Sequence, residues 1–110
     1  MYSGIERRQH TRYDCKYQVS FKPAAETQAY DYSQTRNISK GGLLLVASEA
    51  FEQGTQLDLI MRIPFNPSTV KVKGEVRWLK KVSNALVHEM GIKFVEQSPL
   101  LNQFIDQRFH

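Results

Sequence analysis

The feature that most constrains this fold is a period-two alternation of apolar and polar residues. From Tyr13 to Lys22 it runs without a miss: Tyr13, Cys15, Tyr17, Val19 and Phe21 share one parity, and Asp14, Lys16, Gln18, Ser20 and Lys22 the other. Successive side chains of an extended chain point to opposite faces, so this segment predicts one strand with a buried face and a wet face. The pattern returns in Leu57, Leu59, Met61 and Ile63, and in Val70, Val72, Val76 and Trp78 opposite Lys71, Lys73, Glu75 and Arg77. It returns again in Leu86, Met90, Ile92 and Phe94, with His88 on the same parity. The apolar run Leu43 to Ala47 reads as a strand covered on both sides, and Thr27 to Arg36 as a strand with little core contact.

Breaks between these segments have turn chemistry. Pro23, Ala24 and Ala25 interrupt the first strand, NISKGG (Asn37 to Gly42) and Gly54 are turns, and PFNPS is a loop because its prolines deny a ladder partner. Gly74 in mid-strand predicts a bulge or bend. Ser98 and Pro99 suit the N-cap and first position of a helix, and Leu100, Leu101, Phe104, Ile105 and Phe109 trace its apolar stripe. Six short strands and one terminal helix predict an all-β fold, a six-stranded antiparallel β-barrel with a C-terminal α-helix, since closure removes the edges such strands would expose.

At 110 residues the chain is expected to be one domain, 1–110. It divides into a flexible N-terminal segment (1–12), the barrel (13–95) and the helix (98–109). Fifteen Lys and Arg against eleven Asp and Glu give +4, which favours anionic partners. Arg7, Arg8 and Arg12 concentrate that charge near the N-terminus, where Glu6 is the one acid beside them. A single cysteine has no disulfide or CxxC partner, no apolar run approaches the roughly 18 residues of a membrane span, and no signal-peptide core opens the chain. A cytoplasmic protein without membrane insertion is expected.

The material for catalysis is thin, and a non-enzymatic role is expected. Cys15 lies on an apolar face, where a buried structural thiol is the ordinary reading. His10, His88 and His110 are too far apart for a local metal motif, and His88 reads as a satisfied core histidine. No metal ligand set and no cofactor is expected. Trp78 has two readings, core packing with its valines or stacking on a base at the barrel rim.

Two features remain. Arg8 and Arg12 stand four apart, about 13 Å in extended chain, and guanidinium forks suit phosphate oxygens and the O6/N7 edge of guanine. Alone, such a cluster is a solvated basic terminus. In NISKGG, Asn37 and Ser39 offer polar groups while Gly41 and Gly42 admit a ligand close to the backbone; alone, that is any loop.

Together, RxxxR at Arg8 and Arg12 followed by NxSxxG at Asn37, Ser39 and Gly42 resembles the PilZ domain, a bacterial receptor module for cyclic di-GMP. The stretch MGIKF, Met90 to Phe94, is similar to that family's last barrel strand, and a helix follows where the family has one. The resemblance covers essentially the whole chain. It implies that Arg8 and Arg12 contact guanine and phosphate while Asn37, Ser39 and Gly42 line the barrel face, with Gly41 and Trp78 as further candidates. The family takes Asp or Asn at Asn37; one amide oxygen offers guanine less charge than a carboxylate does. An arginine at Arg7 accompanies, in that family, binding of two stacked ligand molecules. The resemblance further implies a ligand-driven closure of the N-terminal segment and an unidentified effector protein as partner.

Two alternatives stand beside it. One is a PilZ-like protein-interaction module without ligand. The other is a small basic barrel binding single-stranded nucleic acid, disfavoured because Tyr13, Tyr17, Phe21 and Trp78 fall on inward faces and the outward faces show no aromatic platform.

Overall fold

The computed structural model describes residues 10–65, 68–82 and 86–109. Its strands are β1 (Tyr13–Asp14), β2 (Gln18–Pro23), β3 (Asp31–Ile38), β4 (Gly42–Ala47), β5 (Gln56–Arg62), β6 (Thr69–Lys81) and β7 (His88–Phe94), followed by helix α1 (Pro99–Phe109). Six of them close a ring in the order β3, β2, β5, β6, β7, β4 and back to β3, all antiparallel. The expected six-stranded barrel and terminal helix are therefore present, with β1 lying along the same edge of β3 as β2, since β4 holds the other edge at Asn37 and Ile38.

The alternation from Tyr13 keeps its parity but not its continuity. The ladder breaks between Asp14 and Gln18, because the Thr35 hydroxyl takes backbone groups that a ladder would have used: it accepts from Tyr17 N at 3.0 Å and donates to Cys15 O at 2.9 Å. Cys15 and Tyr17 are consequently half-buried against the core, while Val19 and Phe21 are sealed within it. The β2 strand also runs on through Pro23, which pairs with Leu57 of β5 where β3 no longer flanks it, a place that tolerates a missing N–H.

Three further expectations change. Gly74 is in register with Leu57 and Phe94, and a Cβ there would sit 2.4 Å from Ile92 Cγ2, so close packing explains this glycine. The irregularity falls instead between Val76 and Trp78. Leu86 precedes β7 and is 89% exposed. His88 is half-buried, and its Nδ1 has no hydrogen-bond partner among the described residues; its strand neighbours are Ala47, which has no polar side chain, and the exposed Lys81.

The core joins the inward residues of β2, β4, β5, β6 and β7 and Ile38 of β3 to Leu101, Phe104 and Ile105 of α1. Ser98 caps that helix as expected, its Oγ accepting from Leu101 N at 3.2 Å. Phe104 meets the rings of Tyr17 and Phe65 edge-on or tilted, and Tyr13 stacks on Phe109 with centroids 4.3 Å apart. The helix therefore packs against the strand that follows Arg12. The outward faces are not free of aromatics: Tyr30 is 41% and Tyr32 68% exposed. Their segment has the weak core contact its sequence predicts, and both rings are left in water.

Candidate functional site

The NISKGG turn joins β3 to β4, and its shape comes from Ser39. The buried Ser39 hydroxyl accepts from Gly41 N and Gly42 N, each at 3.1 Å, and donates to Gly42 O at 3.2 Å; Ser39 N also donates to Gly42 O at 2.8 Å. One hydroxyl has one proton and two lone pairs, and all are used within the turn. Ser39 thus builds the site and has no capacity left for a ligand in this arrangement.

The two glycines have separate reasons. A Cβ at Gly42 would lie 2.1 Å from Ile92 O, so β4 can approach β7 only without a side chain there. At Gly41 a Cβ would come within 2.8 Å of His10 Cδ2, which shows the imidazole packed on the turn. A third glycine acts on the opposite wall: a Cβ at Gly91 would lie 2.1 Å from Trp78 Nε1, so the indole lies flat on that backbone. The irregularity beside Arg77 turns Trp78 out of its valine parity, and it is 39% exposed. Of the two readings of Trp78, the barrel rim is the one observed.

These pieces enclose a recess of about 360 Å³, bordered by His10 and Arg12, by Ser39, Gly41 and Gly42, by Arg77 and Trp78, and by the β7 stretch Gly91 to Lys93. No Asp or Glu borders it among the described residues, whereas Arg12, Arg77 and Lys93 do. Glu75 approaches Arg77 from outside at 3.9 Å, both half-exposed, and an exposed pair of that length leaves the cation largely available. An aromatic plane, an acid-free wall and three cations suit a planar anion.

Of the residues singled out from sequence, Arg12, Ser39, Gly41, Gly42 and Trp78 border the recess. Asn37 does not: it is half-buried in β3 opposite Asp14 and Leu44, beside the turn but outside the recess lining. Arg7 and Arg8 lie outside the described residues. Sequence reasoning missed Arg77, Lys93 and Gly91, and weighed His10 only as a metal ligand. The available signal was MGIKF, whose glycine and lysine meet the turn through β4–β7 pairing. Cys15 is half-buried near the start of the site strand; desolvation pushes its thiol above the ordinary 9.0, opposed by the Thr35 hydroxyl 3.9 Å away. No group of three His, Cys, Asp or Glu able to hold a metal occurs among the described residues.

A small closed antiparallel barrel with a cationic recess at a glycine turn defines the class of this chain. The PilZ domain model matches residues 6–107, and the chain belongs to the PilZ domain family. Over 73 residues, 64% of the chain, it is 34% identical to the uncharacterized protein YpfA of Bacillus subtilis (strain 168), of which it covers 33%. Its fold is similar to the Bacillus subtilis inhibitor of motility MotI/DgrA, with TM-score 0.75, 24% identity and coverage of 92% of this chain and 48% of that one. The PilZ domain of Escherichia coli YcgR, solved with c-di-GMP, aligns with TM-score 0.70, 14% identity and coverage of 92% and 87%. Borreliella burgdorferi PlzA in complex with c-di-GMP aligns with TM-score 0.63, 20% identity and coverage of 97% and 43%. The chain thus spans a third of YpfA and about half of MotI.

Proposed function

We propose that this chain is a receptor for cyclic di-GMP that transmits occupancy to a protein partner. The observation that carries the reading is the acid-free recess in which Arg12 and the Ser39–Gly42 turn face Trp78, Arg77 and Lys93. Cyclic di-GMP brings two phosphodiester charges and two guanines, and the recess offers cations for the first and an indole plane for the second. Arg8 would join Arg12 in gripping it, and Asn37 would be reached by the part of the ligand that extends past the turn. Arg7 supports uptake of a stacked pair of ligands.

Coupling runs through α1. Lys40, in the middle of the turn, pairs with Asp106 at 2.5 Å, and Tyr13, which follows Arg12, stacks on Phe109. Both halves of the recess therefore touch the last turns of one helix. A ligand that pulls Arg12 and the turn together biases that helix and the surface it presents, provided it binds one arrangement better than the other. A ligand-free protein-contact module is a second reading, favoured by the saturated Ser39 hydroxyl, which lets the turn be purely structural.

Calorimetric titration with cyclic di-GMP on wild type and Arg12→Ala tests the receptor reading. Saturable binding, near two ligands per chain and weakened at least tenfold by Arg12→Ala, is expected from loss of a charge-assisted contact worth about 1.5–3 kcal/mol. Absence of heat up to high micromolar ligand would leave the protein-contact reading.

A further inference from the structure

The outward face of β3, β2, β5 and β6 carries groups that the recess does not use. Strand register aligns Tyr32, Ser20, Ile60 and Lys71 in one row and Lys22, Asp58 and Lys73 in the next. Tyr30 joins the second row, its ring centroid 5.7 Å from Lys22 Nζ. A second and larger recess, about 450 Å³, opens beside Tyr30, with Ile60, Lys71 and Lys73 among its lining and Glu96 to Pro99 along one side. Lys71 and Lys73 are exposed and have no ion-pair partner among the described residues.

We propose that this face is a second binding surface, whose ligand is single-stranded nucleic acid. Tyr30 and Tyr32 are two residues apart, about 6.7 Å along an extended chain, and each leaves ring surface in water. Exposed rings at that spacing are stacking platforms for successive bases, and Lys71 and Lys73, across β2 and β5 from the rings, would take phosphates of the strand as it runs on over the recess. Two acids line the recess: Asp58, offset by Lys22 at 3.4 Å from its carboxylate, and Glu96 on the helix side. Ser20 and Ile60, both half-buried, lie in the row between Tyr32 and Lys71. The sequence alone argued against nucleic acid for want of outward aromatics, and the two tyrosines remove that objection.

The test uses the whole chain and a fluorescein-labelled oligothymidylate of about eight nucleotides, read by anisotropy at about 50 mM salt. Saturable binding is expected, weakened about tenfold by Tyr32→Ala and restored by Tyr32→Phe. With Lys71 and Lys73 as the phosphate contacts, raising salt from about 50 to 200 mM weakens it roughly sevenfold. Arg12→Ala leaves it unchanged. No saturable signal, or binding indifferent to Tyr32→Ala, overturns the proposal. So does competition by cyclic di-GMP or loss on Arg12→Ala, which would place the oligonucleotide in the first recess. Tighter binding of polyglutamate than of oligothymidylate overturns it in favour of an acidic protein segment. Circular-dichroism melts confirm that the Tyr32 variants fold.

Discussion

Ser39→Ala separates a residue that shapes the recess from one that touches its ligand. The substitution removes a hydroxyl that accepts two amide bonds at 3.1 Å and donates one at 3.2 Å, and it leaves Gly41 N and Gly42 N without their partner. A net hydrogen bond is worth about 1 kcal/mol, and stranding a buried donor costs more. Gly41 and Gly42 are half-buried, so water replaces part of what is lost, and the sum comes to about 2 kcal/mol. With an unfolding entropy of about 2.1 cal/mol/K per residue over 110 residues, that lowers Tm by about 9 °C. The assay is a ligand-free circular-dichroism melt paired with calorimetric titration of cyclic di-GMP. The expected result is the drop in Tm, with an affinity loss that follows the loosened turn. A Tm within about 2 °C of wild type together with abolished binding would refute the reasoning, because the hydroxyl would then be a ligand contact.

Other outcomes follow from the same geometry. Gly91→Ala places a methyl 2.1 Å from Trp78 Nε1, so the indole must leave its seat; its fluorescence should shift to the red and cyclic di-GMP affinity should fall, while the wild-type spectrum would refute the packing. Lys40→Ala and Asp106→Ala should each change stability by less than about 1 kcal/mol, since the pair is solvent-exposed. Each should nonetheless reduce the ligand-induced shifts of α1 amides in NMR; undiminished shifts would remove the proposed coupling. Cys15 should alkylate slowly at neutral pH, because burial raises its thiol above 9.0. The sign follows: the folded chain holds this proton longer than the unfolded chain, so its contribution to stability persists below about 9 and declines above it. Urea unfolding of wild type and Cys15→Ala at several pH values checks this, and a stability difference that widens above pH 9 would reverse it.

Much of the barrel was legible because a half-buried strand writes its parity into the chain. Val19 and Phe21, Leu57, Leu59 and Met61, and Val70, Val72 and Val76 point inward as alternation requires. What alternation does not record is register. The irregularities between Thr35 and Asn37 and between Val76 and Trp78 each carry one unpaired residue, and an apolar–polar pattern reads the same with or without it. That is why the sequence leaves Trp78 with two readings, and why Arg77 reads only as an outward-facing strand residue. Site legibility has the same limit. Arg12 and the Ser39–Gly42 turn are local in sequence and could be read there, whereas Gly91 and Lys93 enter only through β4–β7 pairing. Tyr30 and Tyr32 fall in the segment Thr27 to Arg36, whose sequence predicts little core contact; Tyr30 precedes β3, and β3 buries only Thr35 and Ile38.

The Tyr13–Phe109 stack joins two points nearly the whole chain apart. A contact of such long range closes a large loop, so it forms after the barrel has already fixed both partners and opens before the barrel does. It is also supported on one side by a strand of only two residues. The chain segment that carries Arg12 and the end of α1 therefore belong to one small cooperative unit, with an opening free energy well below that of global unfolding. Hydrogen exchange in that unit would report ligand without the barrel changing at all.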